Sequence, residues 1–451
     1  MTGSAAAFFR AEIEQALGIP DLPLPAVHES GHFGLSSVFH VSELALATMA
    51  AALRELAVLI GHDVITLDRR RVEFWCGMTV TPEGWTLPEA WDPVAGNYRT
   101  KDGWIRLHTN VPAHRQATLG VLGVEARRSA VESAVAGWEG DALAEAVTAA
   151  GGVAAAMTGL ASWSAHPQGQ AVAGEPLICW DHCDAAEEPP LPAFAGDLAG
   201  LKVLDLTRVL AGPVATRFLA GFGASVLRID PPDWREDGLE AEVTLGKACA
   251  GLDLKRSEDR RIFERLLSEA HVLVHGYRPG ALDRLGYDAE RRRALNPGLI
   301  DVSLSAYGWT GPWRERRGFD SVLQLATGLA EEGMRLSHAD KPVALPVQVL
   351  DHGTGYLMAA AVLRGLALKR ADGKGRRARL SLARTAHLLA SAGRSPPLPG
   401  KAGDDGVAMQ AEETFWGPAR RVVFPASLDG RGPEFSRRAG PFRAAPAAWP
   451  V

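Results

Sequence analysis

An acid followed two and four residues on by glycines, Asp351-His-Gly-Thr-Gly355, opens a long Ala/Leu run that reaches Ala367. A carboxylate exposed beside such a gap can act as a nucleophile. Glycine carries no Cβ, so it lets another molecule come close. The same letters also spell a helix N-cap, with Asp351 accepting from the first free amides of that helix. Which reading holds depends on what faces the acid. About 140 residues upstream, Val203-Leu-Asp-Leu and then Thr207-Arg-Val-Leu-Ala-Gly-Pro213 read as a strand, a turn and a helix. Pro213 suits a first helical position, and a turn of this kind can hold a ligand through its backbone groups.

These residues need elements to hold them. Beyond residue 200, short apolar runs (Val203-Leu-Asp-Leu, Ser225-Val-Leu-Arg-Ile, Val272-Leu-Val, Leu299-Ile-Asp-Val-Ser-Leu) alternate with helical patterns over 213–222, 258–270 and 287–295. Strand-helix alternation predicts an α/β fold with a doubly wound, Rossmann-like parallel sheet in a large domain of the second half. The first half is helical over 38–60. It then carries a hairpin turning at Asp102-Gly103 and helices over 113–123, 129–139 and 141–150, which predicts a smaller α+β domain. The Pro-rich run Glu187-Glu-Pro-Pro-Leu-Pro reads as a linker. The expected organisation is an N-terminal helical segment (1–62), the small α+β domain (63–185), a linker (186–200), the large catalytic domain (201–395) and an irregular C-terminal segment (396–451). At an offset of 310, Val41–Ala57 lies over Asp351–Ala367, a faint internal repeat in which Val41 stands where the second copy has Asp351.

Three other patterns invite chemistry and lack the context for it. His28-Glu-Ser-Gly-His32 has the letters of a zinc-binding helix. Pro20, Pro23 and Pro25 before it and Gly31 and Gly34 within or after it deny the helix that would put both imidazoles on one face. Cys179-Trp-Asp-His182-Cys183 is too tightly spaced to close a tetrahedral site alone. Gly221-Phe-Gly223 follows a helix and precedes a strand, so it is a helix stop rather than a dinucleotide loop. No metal site is expected.

A formal charge of −5 argues against nucleic acid as a partner. Four cysteines without a paired framework suit a reducing, cytoplasmic setting. No apolar run approaches the ~18 residues of a membrane span, and the N-terminus lacks the pattern of a signal peptide.

The span from Leu201 to about Leu389 resembles the family III CoA-transferases. The resemblance rests on blocks in family order: Val203–Pro213, Gly223–Pro232, Leu245-Gly-Lys247 with Leu252-Asp-Leu254, Val272–Gly280, Ser303–Pro312, Arg317-Gly-Phe-Asp320, Leu345–Gly355 and Gly375–Ser381. It implies acyl exchange through Asp351, with coenzyme A and acyl-CoA as substrates, a free carboxylic acid as acceptor, and no permanently bound cofactor. By position it also implies CoA contacts from Leu210 and Ala211, then Thr244, Leu245, Gly246 and Lys247. Gly276, Tyr277, Arg278 and Arg284 follow, then Arg316, Arg317, Gly318, Phe319 and Asp320. Amides at Gly353 to Gly355 are expected to stabilise oxyanions and to keep Asp351 ionised. The superfamily also holds 2-methylacyl-CoA racemases. Their usual His is replaced here by Phe319, which leaves His352 as a substitute base; a non-catalytic acyl-CoA-binding protein is the remaining alternative. The family places the large domain first, whereas this chain places the small domain first. A homodimer is expected from the resemblance.

Overall fold

The computed structural model describes residues 4–19, 24–32, 34–185, 191–395 and 406–450. The part of the expected linker at 186–190 lies outside the described residues.

The second half builds on a seven-stranded sheet. Its strands are β1 (Cys179–Ala185), β2 (Lys202–Leu206), β3 (Ser225–Asp230), β4 (Lys247–Gly251), β5 (Val272–His275), β6 (Ile300–Ser305) and β7 (Lys374–Ser381), in the order β4-β3-β2-β5-β6-β7-β1. All neighbours are parallel except β7 and β1. The near-continuous apolar strands follow from coverage of both sheet faces. Leu204, Leu227 and Leu273 meet helices on one face, and Val203, Val226 and Val274 meet them on the other. From β2 the chain moves outward to β4, then returns to β5 on the other side of β2. The crevice beyond the ends of β2 and β5 is therefore the place where a doubly wound sheet holds ligands. Strand β1 comes from the segment expected in the small domain and lies at the edge of the large sheet.

Six helices position the site: α1 (Ala5–Leu17), α2 (Val41–Ile60), α3 (Pro112–Leu122), α4 (Ala211–Gly221), α5 (Asp320–Ala326) and α6 (Val349–Asp372). Helix α6 is buried all round over its first fifteen residues, from Val349 to Leu363. It is packed by α2, α4 and the sheet, which is why its sequence shows an unbroken run of Ala, Leu and Met rather than an amphipathic stripe.

Helices α2 and α6 are structural copies packed against one another. Their cap residues, His40 and Gln348, share φ/ψ values of −76/56° and −78/63°. Both helices end on a left-handed glycine, Gly61 and Gly373, then pass into a strand and a further helix. Asp68 and Ser381 cap those following helices by accepting from Arg71 N and Arg384 N. The shared ends add to the likeness read in the sequence, but the helix starts do not fall at the offset of 310. Helix α6 has 24 residues and α2 has 20. Aligned at their starts, Glu43 rather than Val41 matches Asp351.

A three-stranded antiparallel sheet (Gly96–Arg99, Trp104–Leu107, Ala154–Ala156) with α3 and two neighbouring helices forms the small unit of the first half. Its core of Tyr98, Ile105, Leu107, Val131, Val135, Leu143 and Val147 is its own. The C-terminal segment staples the two halves together. Gly417–Val422 pairs with Val80–Pro82, and Ala426–Leu428 with Val64–Asp68. Beneath these strands lies a buried charge network. Glu242 accepts from Thr79 N at 2.9 Å and pairs with both Arg217 and Arg421. Burial alone would raise this carboxyl, yet the two guanidiniums hold it down at about 2.

One buried acid lacks such support. Glu55 of α2 is 3% exposed, and its Oε2 has no hydrogen-bond partner. Burial raises its pKa from 4.5 to about 7, against a smaller opposing effect of Arg364. A carboxyl raised in the folded state costs stability progressively as pH climbs from 4.5 to 7, and in full above that. Glu55→Gln should therefore stabilise the protein at pH 8, by on the order of 2 kcal/mol, and leave it unchanged at pH 4. Thermal melts at the two pH values check this. Equal gains at both would mean that packing, not charge, is responsible.

Candidate active site

Asp351 is the third residue of α6, so it is not the cap. Gln348 takes the cap position and offers no side-chain bond. The capping carboxylate comes instead from Asp320, the first residue of α5. Its Oδ2 accepts from Asp351 N at 3.0 Å, and the Leu350 amide bonds to it as well. Its Oδ1 accepts from Gln324 Nε2 at 2.5 Å, and Gln324 Oε1 in turn accepts from Leu345 N at 2.8 Å. This relay satisfies the start of α6 from another helix. It leaves the Asp351 side chain free to line a cavity of about 560 Å3 in the switch-point crevice.

The two carboxyls lie together in the interior. Burial first, then the neighbouring Asp320 charge, pushes Asp351 well above the ordinary carboxyl range. Burial raises Asp320 to about 6, although Gln324 and the α6 amides pull the other way. Both shifts disfavour the charged forms, so the surroundings of Asp351 work against the ionisation expected of it. The expected donors are corrected too. Gly353 and Gly355 are the fifth and seventh residues of α6, so their amides belong to the helix's own i→i−4 ladder.

The start of α4 reaches the cavity instead. Helix α4 begins at Ala211, its first amides have no intrahelical partner, and Ala211 and Gly212 line the cavity with Asp351. Two glycines allow this approach. A Cβ on Gly355 would stand 2.4 Å from Ala211 O, and one on Gly212 would stand 2.3 Å from the Thr207 side chain. The turn before α4 is strained: Val209 has φ 63°, a genuine outlier for a β-branched residue. Glu236 holds it there, accepting from Val209 N at 2.7 Å.

The rim is cationic. Arg278, Arg284 and Arg317 line the cavity, and burial followed by Arg278 and Arg284 lowers the pKa of Arg317. Such a cluster suits phosphate oxygens. Arg208 is sandwiched between Trp234 (4.7 Å) and Tyr277 (4.8 Å). Arg316 and Arg317 stitch the small unit over the crevice. Arg316 pairs with Glu145, and Arg317 Nη1 donates to Gly151 O at 3.4 Å. Phe319 stacks on His108 of the small unit with ring centres 3.9 Å apart.

Of the residues expected at the site, the crevice brings together Asp351, Ala211, Gly276, Tyr277, Arg278, Arg284, Arg316, Arg317, Gly318 and Phe319. It does not bring Leu210, Thr244, Leu245, Gly246, Lys247 or Asp320 to the cavity wall. Leu210 packs against Val243 and Phe442. Leu245 is 3% exposed. Thr244 Oγ1 donates to Glu240 O at 2.6 Å and accepts from Gly440 N at 3.1 Å, while Gly246 N donates to Arg437 O at 3.0 Å. The C-terminal tail thus covers this strip. Lys247 Nζ is buried under α4, where it donates to Asp205 Oδ2 at 3.1 Å and Thr216 Oγ1 at 2.6 Å. His352 is buried away from the cavity, lowered to about 4 by burial and then Arg217.

Sequence reasoning missed Trp234, Lys255 and His114 as lining residues. No local signal marks them, since each reaches the crevice from a separate segment. Among the described residues, no group of three or more His, Cys, Asp or Glu could hold a metal ion. His28 and Glu29 lie on a strand, and Cys179–Ala185 is β1.

Residues 198–394 match the family described as CoA-transferase family III. This part of the chain is similar to that family. The acetyl-coenzyme A transferase nodX of Hypoxylon pulicicidum is 34% identical over 214 residues, which cover 46% of this chain and 35% of that protein. The acetyl-CoA:oxalate CoA-transferase of Acetobacter aceti is 36% identical over 146 residues, covering 30% of this chain and 38% of that protein. The crystal structure of Rv3272 from M. tuberculosis is 28% identical with a TM-score of 0.38, covering 43% of this chain and 57% of that one. The chain spans less than half the length of the curated relatives it matches. No helix among the described residues is long and apolar enough to cross a membrane.

Proposed function

We propose that the chain transfers CoA from an acyl-CoA to a free carboxylic acid through Asp351. The observation that carries this is a single one: the Asp351 carboxyl lines a cation-rimmed crevice together with Ala211 and Gly212, the first residues of α4. The relatives named as CoA-transferases support the same chemistry.

As a carboxylate, Asp351 attacks the thioester carbonyl. The C–S bond breaks, leaving a mixed anhydride and CoA thiolate. The thiolate attacks the aspartyl carbonyl, the donor acid departs as carboxylate, and an aspartyl-CoA thioester remains. The acceptor carboxylate attacks that thioester and expels the thiolate again. The thiolate then takes the acceptor's acyl carbon and restores Asp351. Each tetrahedral intermediate places negative charge on oxygen, where the α4 amides act as donors. Arg278, Arg284 and Arg317 take the CoA phosphates. A homodimer in a cytoplasmic setting belongs to this proposal.

The test is chemical trapping. Hydroxylamine added with acyl-CoA should modify the peptide containing Asp351, because anhydrides and thioesters react with it and carboxylates do not. The same incubation in deuterated water should leave the α-carbon of a 2-methylacyl-CoA unlabelled, since Phe319 stands in the chain position where the racemases carry their usual His. Label on Cys249 or nowhere, or rapid α-exchange, would overturn the assignment.

A further inference from the structure

We propose that His114 is a specificity-determining residue that holds the carboxylate of the acid substrate against the reacting end of the crevice. This inference rests on the transferase reading above. His114 sits on α3 of the small unit, across the crevice from α4 and α6, and lines the same cavity as Asp351. It is 7% exposed, and its Nδ1 is buried without a hydrogen-bond partner. With Nδ1 sealed, the ring's other nitrogen, Nε2, is the atom that can meet a ligand in the cavity that His114 lines. The neighbourhood identifies that ligand. Burial, then the Arg317 charge, lowers the imidazole to about 4, so the ring is neutral and offers one N–H beside a guanidinium. One neutral donor next to one cation suits a carboxylate better than a second cation.

Position ties this corner to the reacting end of the crevice. The His114 ring centre is 6.0 Å from that of Phe319, and Phe319 directly precedes Asp320, whose carboxylate bonds the Asp351 amide. His114 therefore stands at the acyl end. The wall beside it is apolar, with Phe319 stacked on His108 and Trp91 edge-on to His108.

The experiment compares His114→Leu and His114→Gln with wild type, using acetyl-, succinyl- and formyl-CoA as donors and acetate, succinate and oxalate as acids. Trapping of Asp351 by acyl-CoA alone reports the first half-reaction, which does not need the acid. The expected result is a rise of about ten- to a hundredfold in the acid's KM for His114→Leu. The trapping rate and the acyl-CoA KM should stay within about threefold, and His114→Gln should recover much of the loss. An unchanged acid KM, or a loss confined to the acyl-CoA KM, overturns the proposal. So does a Gln variant as impaired as Leu, because that is the mark of packing alone. If Leu does not fold, the Gln variant and a His114→Phe variant, which keeps the ring volume without a donor, make the same comparison. Failure of the wild type itself to trap at Asp351 would instead count against the transferase reading, so the two failures are distinguishable.

Discussion

Replacing Asp351 by Ala should lower transfer at least about a thousandfold while CoA still binds. The first part follows from removal of the only proposed nucleophile. The second follows from the layout of the crevice. Arg278, Arg284 and Arg317 line the rim and do not depend on the Asp351 carboxyl for their placement. The fold should also tolerate the change. The cap of α6 belongs to Asp320, which accepts from the backbone of residue 351 whatever its side chain. Removing a buried carboxyl that repels Asp320 should leave the melting temperature at neutral pH equal or higher. Steady-state rates, calorimetric titration with CoA and a thermal melt make the three readings. Substantial transfer by the variant would sink the covalent mechanism. Lost CoA binding would mean that the carboxyl organises the crevice rather than attacking within it.

What the sequence made legible follows from range. Parallel strands buried on both faces write continuous apolar runs such as Val272-Leu-Val, so the large sheet could be read locally. The Arg208–Gly212 turn was in view as a strand-to-helix turn, and Arg278 through its place in the family resemblance; the strand order that brings them to one crevice was not. Asp351 stood out because glycines follow it, and Gly355 proved to permit the close approach of α4. What failed to show is what arrives from afar. The tail at Phe435–Phe442 covers Thr244–Gly246, so residues that look accessible by position are sealed. Lys247 reads as a free cation and is spent on Asp205. The donors at Gly353 to Gly355 were misplaced because α6 starts earlier than a cap at Asp351 would allow, and it does so because a second helix supplies the carboxylate. His114 carried no signal, since only folding brings α3 across from α6.

That borrowed carboxylate leads to the second large effect. Burial and the Asp320 charge both raise the Asp351 carboxyl, so transfer in wild type should fall away on the acid side at a pH above the ordinary carboxyl range. Asp320→Asn removes one of the two causes that raise Asp351, the neighbouring charge, and leaves the larger one, burial, in place. With that repulsion gone the Asp351 carboxylate becomes easier to form, its pKa falls, and a larger fraction is ionised at low pH. The acid limb of kcat should therefore move to lower pH, although not to that of an exposed aspartate. The cap is kept in part, because the Asn side-chain oxygen accepts from one amide where the carboxylate served two. The cost is about 1 kcal/mol of stability, visible as a lower melting temperature at every pH where the limb is measured. Asp320→Ala is the control: it removes the same charge and the cap together, so the limb should move the same way while the fold weakens further. Rate profiles between pH 4 and 9 for the three proteins decide the matter. A limb that stays in place in both variants would mean that the two carboxyls titrate independently and that Asp320 serves α6 alone. A limb that moves to higher pH would mean that Asp320 assists the ionisation of Asp351 by ordering the start of the helix, the reverse of the charge argument.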